Sequence, residues 1–421
     1  MIAKKYIFYI IKPFWMLFDL FLKKRNDFWA FSTHHLHAGK FIENQRALFE
    51  FVKKDQAIKK IIFYRGIRED FEIEDAHNYE IVEHGSLRGL WLLARCKVVF
   101  LTHSISMDYS IRWGRRGFFI LPLSMRNRVV VNLWHAISLK RLYYTANSET
   151  RLHTDRVKYR NQERIGYKGL IASSDIDSYA MAAMFFPLNY LQVWCTGLPR
   201  NDFLTCEENY LPIYIRRSLE KIRSIKKDKK LIVYAPTYRQ VAACDGAYYY
   251  QFSNQEILKL KTILKKNNVV LGYRPHYFNN STEYFNLDEY IDGETIVDLS
   301  MAAVPEFSAV ARECDFLITD YSSVYLETLY LGKPAICFAY DLESYKKQQD
   351  GLLYDLSLIF PGNICESFDD VLKAIEYFLV EEEGDIHLQA KFVQKMFFSY
   401  CDGGNSERVF NRVKAEINHQ I

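Results

Sequence analysis

From Phe28 onward the chain alternates short apolar runs with longer segments in which apolar residues recur every three or four positions. Runs at 60–64, 97–101, 129–133, 169–172 and 191–195 predict strands in the first half, and runs at 231–235, 268–272, 316–319 and 335–339 in the second. Helical spacing fills 45–54, 256–266 and 371–380. A short apolar run bounded by polar turn residues reads as a buried strand, and strands alternating with helices read as parallel α/β sheets. The polar stretch 202–230, which holds Pro212 and ends in the basic run 226–230, is the best internal boundary. The expected organisation is an N-terminal helical segment over 1–27 and two Rossmann-like domains, 28–205 and 206–421, facing across a cleft, with the last segment crossing back to the first domain.

The stretch 315–334 shows most about chemistry. A strand over 316–319 runs into Asp320-Tyr321-Ser322-Ser323, then a short helical pattern stopped by Gly332 and Pro334, then the strand 335–339. Strand, polar turn, helix and strand make a parallel crossover. Its helix start offers backbone N–H groups and the Ser322 and Ser323 hydroxyls to an anion, with phosphate or pyrophosphate as the expected ligand.

At 421 residues two domains are expected. Hydrophobic content of 49% and charged content of 25% are those of a globular protein, and the net charge is only +4. That balance argues against a nucleic-acid binder. The eight cysteines have no C-x-x-C spacing, which favours a reducing compartment over a zinc or disulfide framework. His34, His35 and His37 read as a polar loop, because adjacent histidines cannot share one side of a metal. The aromatic, apolar stretch 6–22 is flanked by Lys4, Lys5, Lys23, Lys24 and Arg25 and interrupted by Lys12, Pro13 and Asp19. It suits an interfacial helix at an anionic membrane surface better than a span; a helix packed on the protein body is the other reading.

Ligands of open parallel sheets bind beyond the carboxyl ends of the strands. Those ends here deliver Thr237 and Arg239, then Arg274 and His276, then Asp320 to Ser323, then Asp341, and in the first half His135 followed by Ser138, Lys140 and Arg141. The block at 134–142, Trp-His-Ala-Ile-Ser-Leu-Lys-Arg-Leu, resembles the W-H-G-T-P-L-K-K-L segment of the CDP-glycerol glycerophosphotransferases of teichoic acid synthesis. The blocks at 197–202, 234–239, 274–276 and 350–354 resemble further family motifs in the same order. The block at 319–323 matches T-D-Y-S-S unaltered.

The resemblance implies a GT-B-type fold, monotopic association with the cytoplasmic membrane face, and transfer of a polyol phosphate from a CDP-polyol to a hydroxyl of a lipid-linked glycan or polyol-phosphate acceptor, with release of CMP. The chain carries no Asp-rich metal motif, so no cofactor and no protein-held metal are expected, with a metal carried by the substrate phosphates as the alternative. Deprotonating an alcohol near neutral pH calls for histidine, and His135 and His276 match the family pair. His135 is assigned as the base and His276, as an imidazolium, to the pyrophosphate; the roles are exchangeable. Arg274, Thr237, Arg239, Ser322 and Ser323 are expected to bind phosphate. Glu327 is either a ribose ligand or a solvated helix acid. Lys140 is either an acceptor-phosphate contact or part of a basic face. Ala136, Ile137 and Ser138 stand where the family has Gly-Thr-Pro, and Glu327 where Asp is common, which leaves glycerol, ribitol or another polyol open. A nucleotide-sugar glycosyltransferase shares the fold, and a membrane-docked scaffold is the non-enzymatic alternative.

Overall fold

The structure is a computed structural model that describes residues 2–34, 39–66, 68–112, 119–147, 163–237, 249–276, 287–348, 350–362, 364–380 and 384–419. The chain divides into two compact units. Unit 1 is Met1–His135, Thr154–Phe203 and Asp402–Ile421; unit 2 is Ala136–His153 and Leu204–Cys401. Compared with a cut at 205/206, residues 136–153 join the second unit and 402–421 the first.

Unit 1 contains β1 (Arg25–Ser32), β2 (Lys59–Tyr64), β3 (Tyr79–Glu83), β4 (Cys96–Leu101), β5 (Ile111–Arg112), β6 (Phe119–Leu121), β7 (Val129–Asn132), β8 (Gly169–Ala172) and β9 (Val193–Cys195). Seven of them form one parallel sheet in the order β3-β2-β1-β4-β7-β8-β9, and β5 pairs with β6 antiparallel. Every residue of β4 and β7 is buried, as expected of strands covered on both faces. Phe31 and Phe100 pack with ring centroids 5.0 Å apart, and Trp29 meets Phe410 of the C-terminal helix Asn405–Asn418 at 5.7 Å.

That helix is seated by the segment 197–202. Gly197 has φ +77°, and a Cβ there would fall 1.8 Å from Asn405 Oδ1. Asp202 accepts from the backbone N–H groups of Asn405 (3.0 Å) and Ser406 (2.8 Å), supplying the helix start with an acidic cap.

The N-terminal helix Ile2–Phe21 includes Pro13. Its Trp15 indole donates to Pro122 O at 2.8 Å. Asp19 is buried and accepts from Arg128 Nη1 (3.1 Å), Lys24 Nζ (3.1 Å) and Ser124 N (2.9 Å). The acidic interruption of the apolar stretch is therefore an anchor into the protein body. Phe14, Leu17 and Phe21 lie on the side away from Trp15 and Asp19 and are exposed, with Ile11 and Phe18 exposed at its flank. No helix among the described residues is long and apolar enough to cross a membrane.

Unit 2 contains β10 (Lys230–Tyr234), β11 (Val269–Tyr273), β12 (Ile296–Asp298), β13 (Phe316–Thr319), β14 (Ala335–Phe338) and β15 (Ile364–Cys365). They form a parallel sheet in the order β12-β11-β10-β13-β14-β15. Both sheets start at an inner strand, run outward one way, then cross to the other side, which is the doubly wound arrangement. Residues 139–147 attach to this unit through backbone bonds. Lys140 bridges to Leu352, Leu353 N donates to Leu139 O (2.9 Å) and Arg141 N to Gly351 O (3.1 Å). Asn147 N donates to Asp350 Oδ1 at 3.1 Å.

Candidate functional site

In a doubly wound sheet the strand order reverses at one crevice, and chemistry collects there. In unit 1 the reversal lies between β1 and β4, with β7 next in line. Each of these strands ends in a histidine. His34 follows β1, His103 follows β4 and His135 follows β7. The His34 and His103 ring centroids are 5.0 Å apart, and those of His103 and His135 are 5.1 Å apart. His34 lies in the irregular segment after β1 and is buried within this cluster; His35 and His37 lie outside the described residues.

The backbone that presents His135 is held from three directions. Asn44 Nδ2 donates to Leu133 O (2.9 Å) and Trp134 O (3.0 Å). Trp134 N donates to Asn132 Oδ1 at 2.8 Å. Arg200 Nη1 donates to His135 O at 2.7 Å and lies 3.4 Å from Glu43 Oε1, while Glu43 Oε2 is 3.6 Å from His34 Nε2. Trp134 has φ +48° and Glu43 φ +59°. For non-glycine residues these are costly conformations that surrounding contacts must hold, and such strain concentrates at functional sites. The buried Trp134 ring packs 4.0 Å from the His135 imidazole.

In unit 2 the reversal lies between β10 and β13. Asp320 joins the two strand ends, with Oδ1 accepting from Thr237 N (2.9 Å) and Tyr321 N (2.7 Å). Thr319 Oγ1 donates to Ala235 O at 2.6 Å. Thr237 is buried beside this junction. Asp320 thus orients the turn. Ser323 stands at the N-cap of the helix Val324–Tyr330 but makes no side-chain capping bond, and Ser322 Oγ meets Val324 N only at 3.5 Å. The Ser323 hydroxyl is therefore not committed to the helix start. Glu327 is buried on the first turn of this helix rather than solvated.

β11 delivers Arg274 and His276. Arg274 Nη1 donates to Leu299 O (2.7 Å) and Val304 O (2.8 Å), so its guanidinium fastens the turn after β12. Burial, reinforced by the nearby Lys140 charge and opposed by Asp320, lowers the His276 imidazole to about 4. In the unliganded protein it is therefore neutral at pH 7, and the main cause is desolvation. Lys140 belongs to unit 2 and sits 5.7 Å from the Tyr345 ring centroid. Tyr345 stacks on Tyr321 at 4.1 Å, and Tyr321 donates to Asp341 Oδ1 at 3.0 Å. Arg239 lies outside the described residues.

Sequence reasoning passed over His103 and Glu43, took His34 for part of a polar loop, and met Arg200 only within the family-like block at 197–202. His103 follows an apolar strand as His135 does, so the same strand-end rule would have found it. The proximity of Arg200 and Glu43 to this cluster has no local signal.

Residues 16–415 match the family described as CDP-glycerol:poly(glycerophosphate) glycerophosphotransferase. The chain is 26% identical to the teichoic acid glycerol-phosphate transferase of Staphylococcus aureus (strain NCTC 8325 / PS 47), covering 89% of this chain and 90% of that one. It is 29% identical to the teichoic acid poly(glycerol phosphate) polymerase of Bacillus spizizenii (strain ATCC 23059 / NRRL B-14472 / W23), over 80% and 81% of the two chains. Among solved structures, an asparagine-for-histidine variant of the wall teichoic acid polymerase TagF soaked with CDPG shares the fold. Its TM-score is 0.72 at 19% identity, over 96% of this chain and 93% of the chain in that structure. The match to the family over almost the whole chain carries the assignment: this protein belongs to the CDP-glycerol:poly(glycerophosphate) glycerophosphotransferase family of enzymes.

Proposed function

We propose that the enzyme transfers a polyol phosphate, with glycerol phosphate the preferred group, from a CDP-polyol to a hydroxyl of a lipid-linked glycan or teichoic or capsular acceptor. His135 takes the proton as the acceptor oxygen attacks the polyol-bearing phosphorus; the bond from that phosphorus to the CMP oxygen breaks, and CMP leaves. Proton removal by a placed imidazole supplies about 10²–10⁴ in rate. The remainder comes from holding the pyrophosphate in positive, preorganised surroundings. Thr237, Ser322, Ser323, His276 and Lys140 of unit 2 are read as that environment, with Arg239 joining on sequence grounds. Arg274 fixes the neighbouring turn and is read as completing the phosphate pocket. Glu327 is read as the ribose ligand.

The carrying observation is the presentation of His135: a strained strand end secured by Asn44, Asn132 and Arg200. A histidine with only a packing role gives no reason for this arrangement. The exposed apolar face of the N-terminal helix, with Lys23 and Arg25 exposed beyond it, supports peripheral attachment to the cytoplasmic membrane face. Glycerol is preferred because both relatives described above are named for it.

The test offers CDP-glycerol, CDP-ribitol and a nucleotide sugar separately, with a lipid-linked acceptor in vesicles. CMP release from CDP-glycerol is expected. CMP release from CDP-ribitol alone would change the polyol, whereas release of a nucleoside diphosphate from the sugar donor would replace the proposal with glycosyl transfer.

A further inference from the structure

The cluster at the carboxyl end of the unit 1 sheet contains a second imidazole built into the protein as firmly as His135. His103 is buried, and its ring lies 5.1 Å from that of His135 with only 32° between the planes. Behind it stands Asp108, also buried. Asp108 Oδ2 accepts from Thr102 N and His103 N, each at 2.9 Å. Asp108 Oδ1 faces His103 Nδ1 at 3.6 Å, and among the described residues neither buried atom makes a hydrogen bond. Asn132, which holds the Trp134 backbone, also donates to His103 O at 3.1 Å. The same strand end therefore fixes both imidazoles.

We propose that His103, backed by Asp108, is a positioning residue for His135 that favours the imidazolium formed when His135 takes the acceptor proton. The inference rests on the reading of His135 as the base. The two rings are tilted by 32° with centroids 5.1 Å apart; in this proposal the proton stays on His135 and the coupling is electrostatic. The Trp134 ring, 4.0 Å from His135, presents aromatic surface to the new cation, as in a cation–π contact. The Asp108 carboxylate supplies negative charge behind His103. Closely spaced imidazoles titrate together, so the other charged groups around the cluster matter. His34 faces His103 from β1, Glu43 faces His34, and Arg200 faces Glu43. Arg65 donates to Asp108 O at 2.9 Å.

The experiment compares wild type, His103→Gln, Asp108→Asn and His135→Ala in kcat, donor KM and the pH dependence of kcat/KM. Asp108→Asn retains a carbonyl oxygen for the two backbone N–H groups, so it reports on the charge even if His103→Gln fails to fold. Both variants are expected to lose about tenfold or more in kcat, a part of what the base supplies, with KM changed by less than about threefold. The acid limb should move to lower pH, because His135 holds its proton less tightly without this support. Wild-type kcat, or a loss of kcat with the acid limb unmoved or moved to higher pH, would overturn the proposal and leave a structural role. Retained activity in His135→Ala would instead remove the reading on which it rests.

Discussion

Arg200 links the largest number of functional details at the residue scale. Its guanidinium holds the His135 carbonyl and faces Glu43, a two-sided arrangement that a fork-shaped cation makes and an ammonium does not. A hydrogen bond from a charged donor is worth about 1.5–3 kcal/mol. Arg200→Ala should therefore lower kcat by roughly 10- to 100-fold with a smaller change in KM, and Arg200→Lys should not restore it. Unchanged turnover in a folded Arg200→Ala protein would show that His135 needs no such support. His276 yields a different test. Burial keeps it neutral in the free enzyme, near 4, and a bound pyrophosphate must raise its proton affinity. CDP-glycerol binding should then take up protons and tighten as pH falls from neutrality toward about 4, an effect that His276→Ala abolishes. Calorimetry in buffers of different ionisation enthalpy measures that uptake. The candidate site residues Thr237, His135, His276, Ser322 and Ser323 were legible because each follows an apolar run. The cluster of His34, Glu43 and Arg200 was not, since its members come together only when β1, β7 and the segment after β9 are laid side by side.

At the scale of elements, the motif at 197–202 is architectural, because it seats the C-terminal helix. Gly197 occupies a left-handed position with Asn405 against it. Gly197→Ala adds a Cβ where there is neither a comfortable φ nor space, and should cost more than about 1 kcal/mol, read as a lowered Tm. An unchanged Tm would mean that the C-terminal helix is not tightly seated. The N-terminal helix separates into two faces with opposite expectations. Removing Asp19 leaves the buried Arg128 cation without its carboxylate, and Asp19→Ala should destabilise the protein by about 3–5 kcal/mol. The double change Phe14→Asp and Leu17→Asp alters exposed positions, so Tm should hold while binding to anionic vesicles weakens sharply in a flotation assay. Vesicle binding that survives it would place membrane contact elsewhere. The sequence identified this stretch as amphipathic, but Asp19 looked like an interruption because its partners Arg128 and Ser124 are distant in the chain. The central strands were legible from their apolar runs. β1 was passed over because it opens on Arg25, Asn26 and Asp27, and β3 because only Val82 of its residues is buried.

At the scale of the whole molecule, two parallel sheets with doubly wound order and the family membership agree with the alternation of strands and helices read from the chain. Their composition was less legible. Residues 139–147 enter unit 2 through backbone bonds to 350–353, and the C-terminal helix returns to unit 1. Neither exchange has a local pattern, because both depend on which distant backbone groups are left to pair. Lys140 therefore shares a unit with His276 although it follows His135 closely in sequence. The proposed reaction turns on removal of the acceptor proton by His135. The most direct measurement follows labelled glycerol phosphate from CDP-glycerol into a vesicle-borne lipid-linked acceptor, together with CMP release, in wild type and His135→Ala. Transfer matched by CMP in the wild type, with a loss of at least about 100-fold in the folded variant, is the predicted result. Equal transfer by the two proteins would contradict the account.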